Sequence, residues 1–414
     1  MKTTNWQLWI DTGGTFTDCI SISPEGKKER IKVLSSATLR AVIIKKVRSN
    51  TYSFQYNWAI DEDIFKGYTF YVVSNKKITS QVQSIDFQQR ELTLSDDLAI
   101  APNTTFEITA HEEAPILAAR LATRTALEQE LPDLDLRLGT TKGTNALLER
   151  KGAKVTLLIT KGFRDLLEIG TQQRPHLFQL DIPEPELLYE QVIEVDERLS
   201  ADGGVLQELT STEITRIVEK IAHPVVAIAL LHSYRNPIHE QQLQAALTKN
   251  GINYCSSSHE LSPNIQLLPR ANTALINAYL QPILNDYLSR IRSKLSTQSQ
   301  LKVMSSAGGL VSSDFFQPKD SLLSGPAGGI VGAAAIAKQL AIPKILTLDM
   351  GGTSTDTARY DGISYDYETT TKVGHAEMLS PTLSIETVAA GGGSVCWFDG
   401  ERLRVGPEST GASP

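Results

Sequence analysis

An eight-residue pattern occurs twice in this chain and limits its fold more than any other feature. Asp11-Thr-Gly-Gly-Thr-Phe-Thr-Asp18 and Asp349-Met-Gly-Gly-Thr-Ser-Thr-Asp356 share one order: Asp, any residue, Gly-Gly-Thr, any residue, Thr, Asp. Each copy ends a short apolar run, Leu8 to Ile10 in the first and Ile345 to Leu348 in the second. Phe16 to Ile22 then reads as a returning strand, so the glycines fall in the turn of a β-hairpin. Glycine lacks Cβ, which lets the backbone approach an anion closely, and successive N–H groups form a nest for phosphate oxygens. Threonine hydroxyls add donors, and an aspartate at the strand end suits the water shell of a phosphate-bound Mg2+. A single copy reads equally as a phosphate loop or as a tight turn with no ligand. A matched pair favours phosphate, because two such turns hold a triphosphate from two sides. No GxxxxGK[ST] string occurs, which sets the P-loop class aside.

The surrounding pattern is α/β. Lys28 to Leu34 reads as a third strand after the hairpin, and three antiparallel strands in succession open many ribonuclease-H-like domains. Residues 38–110 break into short alternating strands separated by turn residues, which predicts a small all-β insert. The apolar spacing predicts a helix over Ala114 to Glu130, a strand over Leu136 to Thr140 and a helix from Thr144 to Arg150, with Thr144 as a candidate N-cap. Val155 to Thr160 and Val225 to Leu231 read as buried strands. Asn264 to Leu295 reads as a long helix, and Ala327 to Leu340 as a helix of small residues. Strands and helices that alternate in this way imply parallel sheet covered by helices. The expected architecture is two ribonuclease-H-like domains of the actin/Hsp70/sugar-kinase kind around a nucleotide cleft. The first comprises residues 1–37 and 111–200, the second residues 201–414.

Composition excludes some function classes. A net charge of −7 over 414 residues argues against nucleic-acid and membrane-surface partners, which favour basic patches. The longest apolar run, Pro224 to Leu231, is too short to span a bilayer. Cys19, Cys255 and Cys396 are odd in number and far apart, with no CxxC spacing, so neither a disulfide framework nor a zinc finger is indicated and a cytoplasmic setting fits best. His232, His259 and His375 stand alone, without metal-ligand spacing.

Several longer strings carry a family resemblance. They are Ile10 to Cys19, Gly139 to Thr171 (GTTKGTNALLERKGAKVTLLITKGFRDLLEIGT), Tyr189 to Ser200, Leu323 to Ala333, Leu348 to Thr357, Thr387 to Cys396 and the tail from Val405. Together they resemble the hydantoinase A / 5-oxoprolinase family and cover most of the chain outside the β-insert. The resemblance implies ATP-dependent hydrolytic opening of a cyclic amide, 5-oxoproline or a hydantoin, with a hydantoinase B-like partner subunit. It also implies a second domain that continues past residue 414. The alternatives are the ATP-using subunit of a ketone carboxylase and a non-catalytic, nucleotide-dependent assembly protein.

The expected site follows from the two turns. Asp11 and Asp349 organise Mg2+. Thr12, Gly13, Gly14, Thr15 and Thr17, with Gly351, Gly352, Thr353 and Ser354, cradle the phosphates of ATP. The third glycine cluster, Gly391, Gly392 and Gly393, is a further nucleotide contact. Thr141 is expected beside the γ-phosphate as a catalytic group, in a polar cluster with Thr140, Lys142, Thr144 and Asn145; helix capping explains Thr144 equally well. Asn145 and Arg174 are the candidate contacts to the cyclic amide, Arg174 through a bidentate grip on a carboxylate or otherwise as a solvated surface residue.

Overall fold

A computed structural model describes residues 5–172, 178, 186–351, 355–373 and 376–409. In chain order the elements begin with β1 (Trp6–Thr12), β2 (Phe16–Ile22) and β3 (Lys28–Leu34). Six strands follow: β4 (Leu39–Arg48), β5 (Thr51–Gln55), β6 (Thr69–Val72), β7 (Asn75–Asp86), β8 (Glu91–Leu94) and β9 (Thr104–Thr109). Next come α1 (Ala114–Thr123), β10 (Leu134–Thr140), α2 (Lys142–Leu148), β11 (Val155–Thr160) and α3 (Leu166–Ile169). Then β12 (Gln191–Val195), β13 (Arg198–Leu199), β14 (Val205–Gln207), α4 (Ser211–Lys220), β15 (Val225–Ala229), α5 (Ile238–Lys249), β16 (Tyr254–Ser257) and α6 (Ser258–Leu261) lead to the long α7 (Leu267–Arg292). After it come β17 (Gln300–Met304), β18 (Leu310–Ser312) and α8 (Ser324–Gln339). The last strands are β19 (Ile345–Met350), β20 (Thr355–Tyr360), β21 (Tyr367–Val373), β22 (Ala376–Leu383), β23 (Glu386–Val388), β24 (Ser394–Phe398) and β25 (Leu403–Ser409).

The chain divides into two compact units. One holds residues 1–142, 285–304 and 310–316, the other residues 143–284, 305–309 and 317–414. The first unit is built on a six-stranded sheet in the order β18-β17-β10-β1-β2-β3. β1 pairs antiparallel with β2 and parallel with β10, and β10 is parallel to β17. Strand periodicity sorts the side chains of β1: Leu8 and Ile10 are buried, while Trp9 and Asp11 face out. Leu8, Ile10, Ile31, Val33, Leu136, Leu138 and Val303 form one core with Ile116, Leu117 and Leu121 of α1.

Between β3 and α1 the six strands β4 to β9 close into a barrel in the order β4-β5-β8-β7-β6-β9. The expected all-β insert is therefore present. Its interior is aromatic, with Tyr52, Phe54, Phe65, Tyr68, Phe70 and Phe106 all buried. The Phe70 and Phe106 rings lie 5.0 Å apart. Closure leaves no bare sheet edge, which lets a small insert bury such residues.

The second unit contains the parallel sheet β12-β11-β15-β16. Every residue of β11 and β15 is buried, which explains their unbroken apolar run. One face packs on Ile217 of α4 and on Leu243 and Leu247 of α5. The other packs on Ala271, Ala274, Leu275 and Ala278 of α7. The remaining strands form small antiparallel sheets, β19-β20-β23, β21-β22 and β24-β25.

Two local expectations differ from the structure. The helix predicted to reach Glu130 stops at Thr123, where Arg124 takes a left-handed conformation (φ 57°) and its N–H closes on the Arg120 carbonyl. Ala126 and Leu127 still pack on the core from the following turn, so the apolar spacing continued without the helix. Thr144 is not an N-cap: α2 begins at Lys142, whose N–H donates to Thr140 Oγ1 at 3.2 Å. The Thr144 hydroxyl instead accepts from the Leu323 N–H at 3.3 Å.

Candidate active site

In the first unit, the turn after β1 is tied down from three directions. The Gly13 N–H donates to the Phe16 carbonyl at 3.0 Å, and the Ser35 N–H donates to the Thr15 carbonyl at 2.9 Å. Ser35 Oγ also donates to the Gly13 carbonyl at 2.8 Å. Among the described residues, the N–H groups of Gly14 and Thr15 have no protein acceptor, so they are available to an anion. Thr17 is fully buried and its hydroxyl lies 3.0 Å from Ser35 Oγ, which commits it to holding the turn from inside.

The two aspartates of the motif stand opposite each other on the outer face, since Asp11 pairs with Asp18 in the register. Asp18 is bound by Lys32 at 3.1 Å. Asp11 is exposed and lies against Gly139 of the neighbouring parallel strand. A Cβ at Gly139 would sit 3.0 Å from Asp11 Oδ1, so the glycine makes the space that this carboxylate uses. An exposed carboxylate near the Gly14 and Thr15 N–H groups at the carboxyl end of a sheet suits a magnesium-bound phosphate.

Thr12 turns inward. Its carbonyl accepts from the Thr141 N–H at 3.1 Å and from the Thr141 hydroxyl at 3.3 Å. Its own hydroxyl meets the buried Tyr287 hydroxyl at 3.5 Å. Burial pushes the Tyr287 phenol well above its ordinary range, so it stays a neutral donor. Lys142 Nζ lies 4.0 Å from the centre of the Tyr287 ring and 3.3 Å from Glu113 Oε2. Arg290 Nε donates to the other Glu113 oxygen at 2.7 Å. The sequence reading had Thr141 and Lys142 in a polar cluster but did not foresee Glu113, Tyr287 or Arg290, which no local spacing links to the turn.

The second copy of the pattern lies in the other unit. β19 and β20 form the hairpin, with Asp349 opposite Asp356 and Met350 opposite Thr355. Gly351 is described; the candidate residues Gly352, Thr353 and Ser354 lie outside the described residues. The third glycine cluster joins this turn. The Gly392 N–H donates to the Gly351 carbonyl at 2.9 Å, and Thr355 Oγ1 donates to the Ala390 carbonyl at 2.5 Å. Ser394 Oγ accepts from the Gly391 N–H at 2.8 Å, which rigidifies the Gly391–Gly393 loop. Asp349 and Asp356 line a groove of about 500 Å³ between α8 and the β19–β20 hairpin, together with Ile330, Ala333, Leu346 and Leu348.

Of the remaining candidates, Asn145 lies in α2, half-buried, and Arg174 and His375 fall outside the described residues. His259 bonds to Glu240 through Nδ1 at 2.7 Å. No group of three or more His, Cys, Asp or Glu side chains placed to hold a metal occurs among the described residues. The sequence reading missed a buried network around Glu240, which also accepts from the Leu230 N–H (2.9 Å) and the Ser258 hydroxyl (2.7 Å). Arg270, fully buried, donates to Ser233, Ser258 and the Leu230 carbonyl. Cys19, Cys255 and Cys396 are free thiols. No helix among the described residues is long and apolar enough to cross a membrane.

Comparison with known proteins gives consistent matches. The family profile described as hydantoinase/oxoprolinase matches residues 270–414, and the profile of the hydantoinase/oxoprolinase N-terminal region matches residues 99–251. The chain is similar to 5-oxoprolinase 1 of Arabidopsis thaliana, 41% identical over 305 residues, which cover 67% of this chain and 24% of that protein. It is 31% identical to caprolactamase subunit alpha of Pseudomonas jessenii over 299 residues, covering 69% of this chain and 43% of the relative. A crystal structure of the ATP-dependent caprolactamase from Pseudomonas jessenii superposes with a TM-score of 0.65 at 26% identity, covering 99% of this chain and 51% of that one. The chain thus spans about a quarter of the length of the plant 5-oxoprolinase that it matches.

Proposed function

This chain belongs to the hydantoinase/oxoprolinase family, and from that premise we propose that it binds ATP and drives the hydrolytic opening of a cyclic amide, 5-oxoproline or a hydantoin. The observation that carries this reading is the Asp11 turn: an exposed carboxylate over the space left by Gly139, with the N–H groups of Gly14 and Thr15 in the same turn without an acceptor among the described residues. The same Asp-led glycine pattern ends β19 in the second unit. The order β3-β2-β1-β10-β17, three antiparallel strands followed by two parallel ones, supports a ribonuclease-H-like first unit.

The chemistry explains why ATP is spent. A five-membered lactam is stabilised by amide resonance and is a poor electrophile. Transfer of the γ-phosphoryl group forms an O–P bond at the ring carbonyl oxygen and breaks the bond to ADP. Water then attacks the activated carbon, the ring C–N bond breaks with the nitrogen taking a proton, and a second water cleaves the resulting acyl phosphate to the free carboxylate and phosphate. The chain's part is positioning and charge stabilisation. Asp11 and Asp349 would hold Mg2+, which lowers the charge on the phosphates when bound. The N–H groups of Gly14 and Thr15 would receive phosphate oxygens, while Gly13, Gly351 and the Gly391–Gly393 loop, whose own bonds fix the turns, would let the backbone come close. Thr141, whose hydroxyl is anchored on the Thr12 carbonyl, would border the γ-phosphate. Thr17 acts as scaffold.

A relative named as a subunit alpha supports a second polypeptide as partner, which this reading takes to be of hydantoinase B type. The test is purification of the native complex and an ATPase assay with 5-oxoproline, hydantoin and caprolactam. ATP turnover that depends on one of these, with release of the opened amino acid, is the expected result. Turnover that ignores all three rules the reading out, and turnover that requires bicarbonate and a ketone replaces it with a carboxylase.

A further inference from the structure

We propose that Lys142 is the cation of the first nucleotide turn, held in place by Tyr287 and Glu113 until its ammonium group meets the terminal phosphate of a bound nucleoside triphosphate. This rests on the ATP reading above and adds a residue to it. Lys142 directly follows Thr140 and Thr141, and these two residues pair with and bond to Thr12. Its backbone is therefore fixed at the carboxyl ends of β1 and β10, the edge of a parallel pair at which ligands gather. The side chain has two anchors, the Tyr287 ring at 4.0 Å and Glu113 at 3.3 Å. The Tyr287 ring that carries the ammonium also places its hydroxyl 3.5 Å from Thr12 Oγ1, so one buried side chain ties the cation to the turn.

Glu113 makes the ammonium transferable. It is shared with Arg290, which binds its other oxygen at 2.7 Å. When Lys142 moves to a phosphate, Glu113 keeps a cationic partner and no lone carboxylate is left behind. Lysine suits such a move, because its compact charge rides on a flexible stem and its side chain is 38% exposed. Tyr287 acts as a positioning residue, through Thr12 and Lys142, rather than by touching the nucleotide.

The experiment is titration calorimetry with Mg-ADP and with the Mg complex of a β,γ-imido ATP analogue, alongside steady-state ATP turnover by the native complex. Lys142→Met is expected to leave ADP affinity within about threefold. It should weaken the analogue by about tenfold or more and cut kcat by about a hundredfold, as befits loss of a charge-assisted contact. Lys142→Arg should recover part of both. Glu113→Gln, which removes the competing carboxylate, should tighten the analogue by up to about fivefold. Tyr287→Phe should lower kcat with little change in ADP affinity. Lys142→Met that binds the analogue and turns over ATP like wild type overturns the proposal alone, as does a Glu113→Gln variant that weakens the analogue. A wild-type complex that binds neither nucleotide overturns the ATP reading itself and takes this proposal with it.

Discussion

Gly139→Ala separates the fold from the site. The new methyl would lie 3.0 Å from Asp11 Oδ1 and 3.7 Å from the Ile10 carbonyl oxygen. The first contact is too tight, but Asp11 is exposed and its carboxylate can rotate away. The backbone at Gly139 does not need glycine, since its φ is not among the positive ones. Alanine in a strand interior is favoured over glycine by roughly 0.5–1 kcal/mol. Chemical denaturation should therefore find the variant within about 1 kcal/mol of wild type. Nucleotide binding should suffer, because metal ligation tolerates only about 0.2 Å of error in distance. Loss of one charge-assisted contact costs about 1.5–3 kcal/mol, or roughly 10- to 150-fold in affinity for Mg-ATP. Titration calorimetry with Mg2+ and again with EDTA measures this. The loss should appear with Mg2+, and Asp11→Asn should add little to it in the double variant, because both changes remove the same carboxylate. Unchanged Mg-ATP affinity in Gly139→Ala, or an equal loss in EDTA, refutes the role given to the space over Gly139.

Other outcomes follow from the second unit and the thiols. Arg270→Met leaves Glu240 buried without its cation and should lower stability by about 3–5 kcal/mol, read by urea denaturation. Burial raises the Glu240 pKa, but hydrogen bonds from His259, Leu230 and Ser258 outweigh it and hold the carboxyl below its ordinary range. Its contribution to stability is thus present above the ordinary carboxylate pKa and is lost as pH falls through the depressed one. Glu240→Gln should flatten that acid limb of a pH–stability curve. Burial pushes the Cys19 and Cys255 thiols up to about 12, while Cys396 is exposed. A thiol reagent at pH 8 should therefore label one cysteine in the native chain and three after denaturation.

Much of the fold was legible where local pattern and tertiary role agree. The β1–β2 hairpin, the barrel insert and the buried strand β15 follow from turn residues, alternation and an unbroken apolar run. The end of α1 was not legible, because Ala126 and Leu127 continue the apolar spacing after Arg124 has already turned the chain. Three threonines crowd the start of α2, and only the tertiary arrangement decides that Thr140 accepts from the first helical N–H while Thr144 bonds to Leu323. For the site, the pattern marked both turns, but the joining of Gly392 to Gly351 is a long-range contact. Glu113 and Arg290 are 177 residues apart, so no spacing rule connects them with Lys142.

The central measurement is a titration of Mg-ATP into wild type, Asp11→Asn and Asp349→Asn. Either substitution should weaken Mg-ATP binding by roughly tenfold or more. Either variant binding Mg-ATP as tightly as wild type would contradict the role given to its carboxylate.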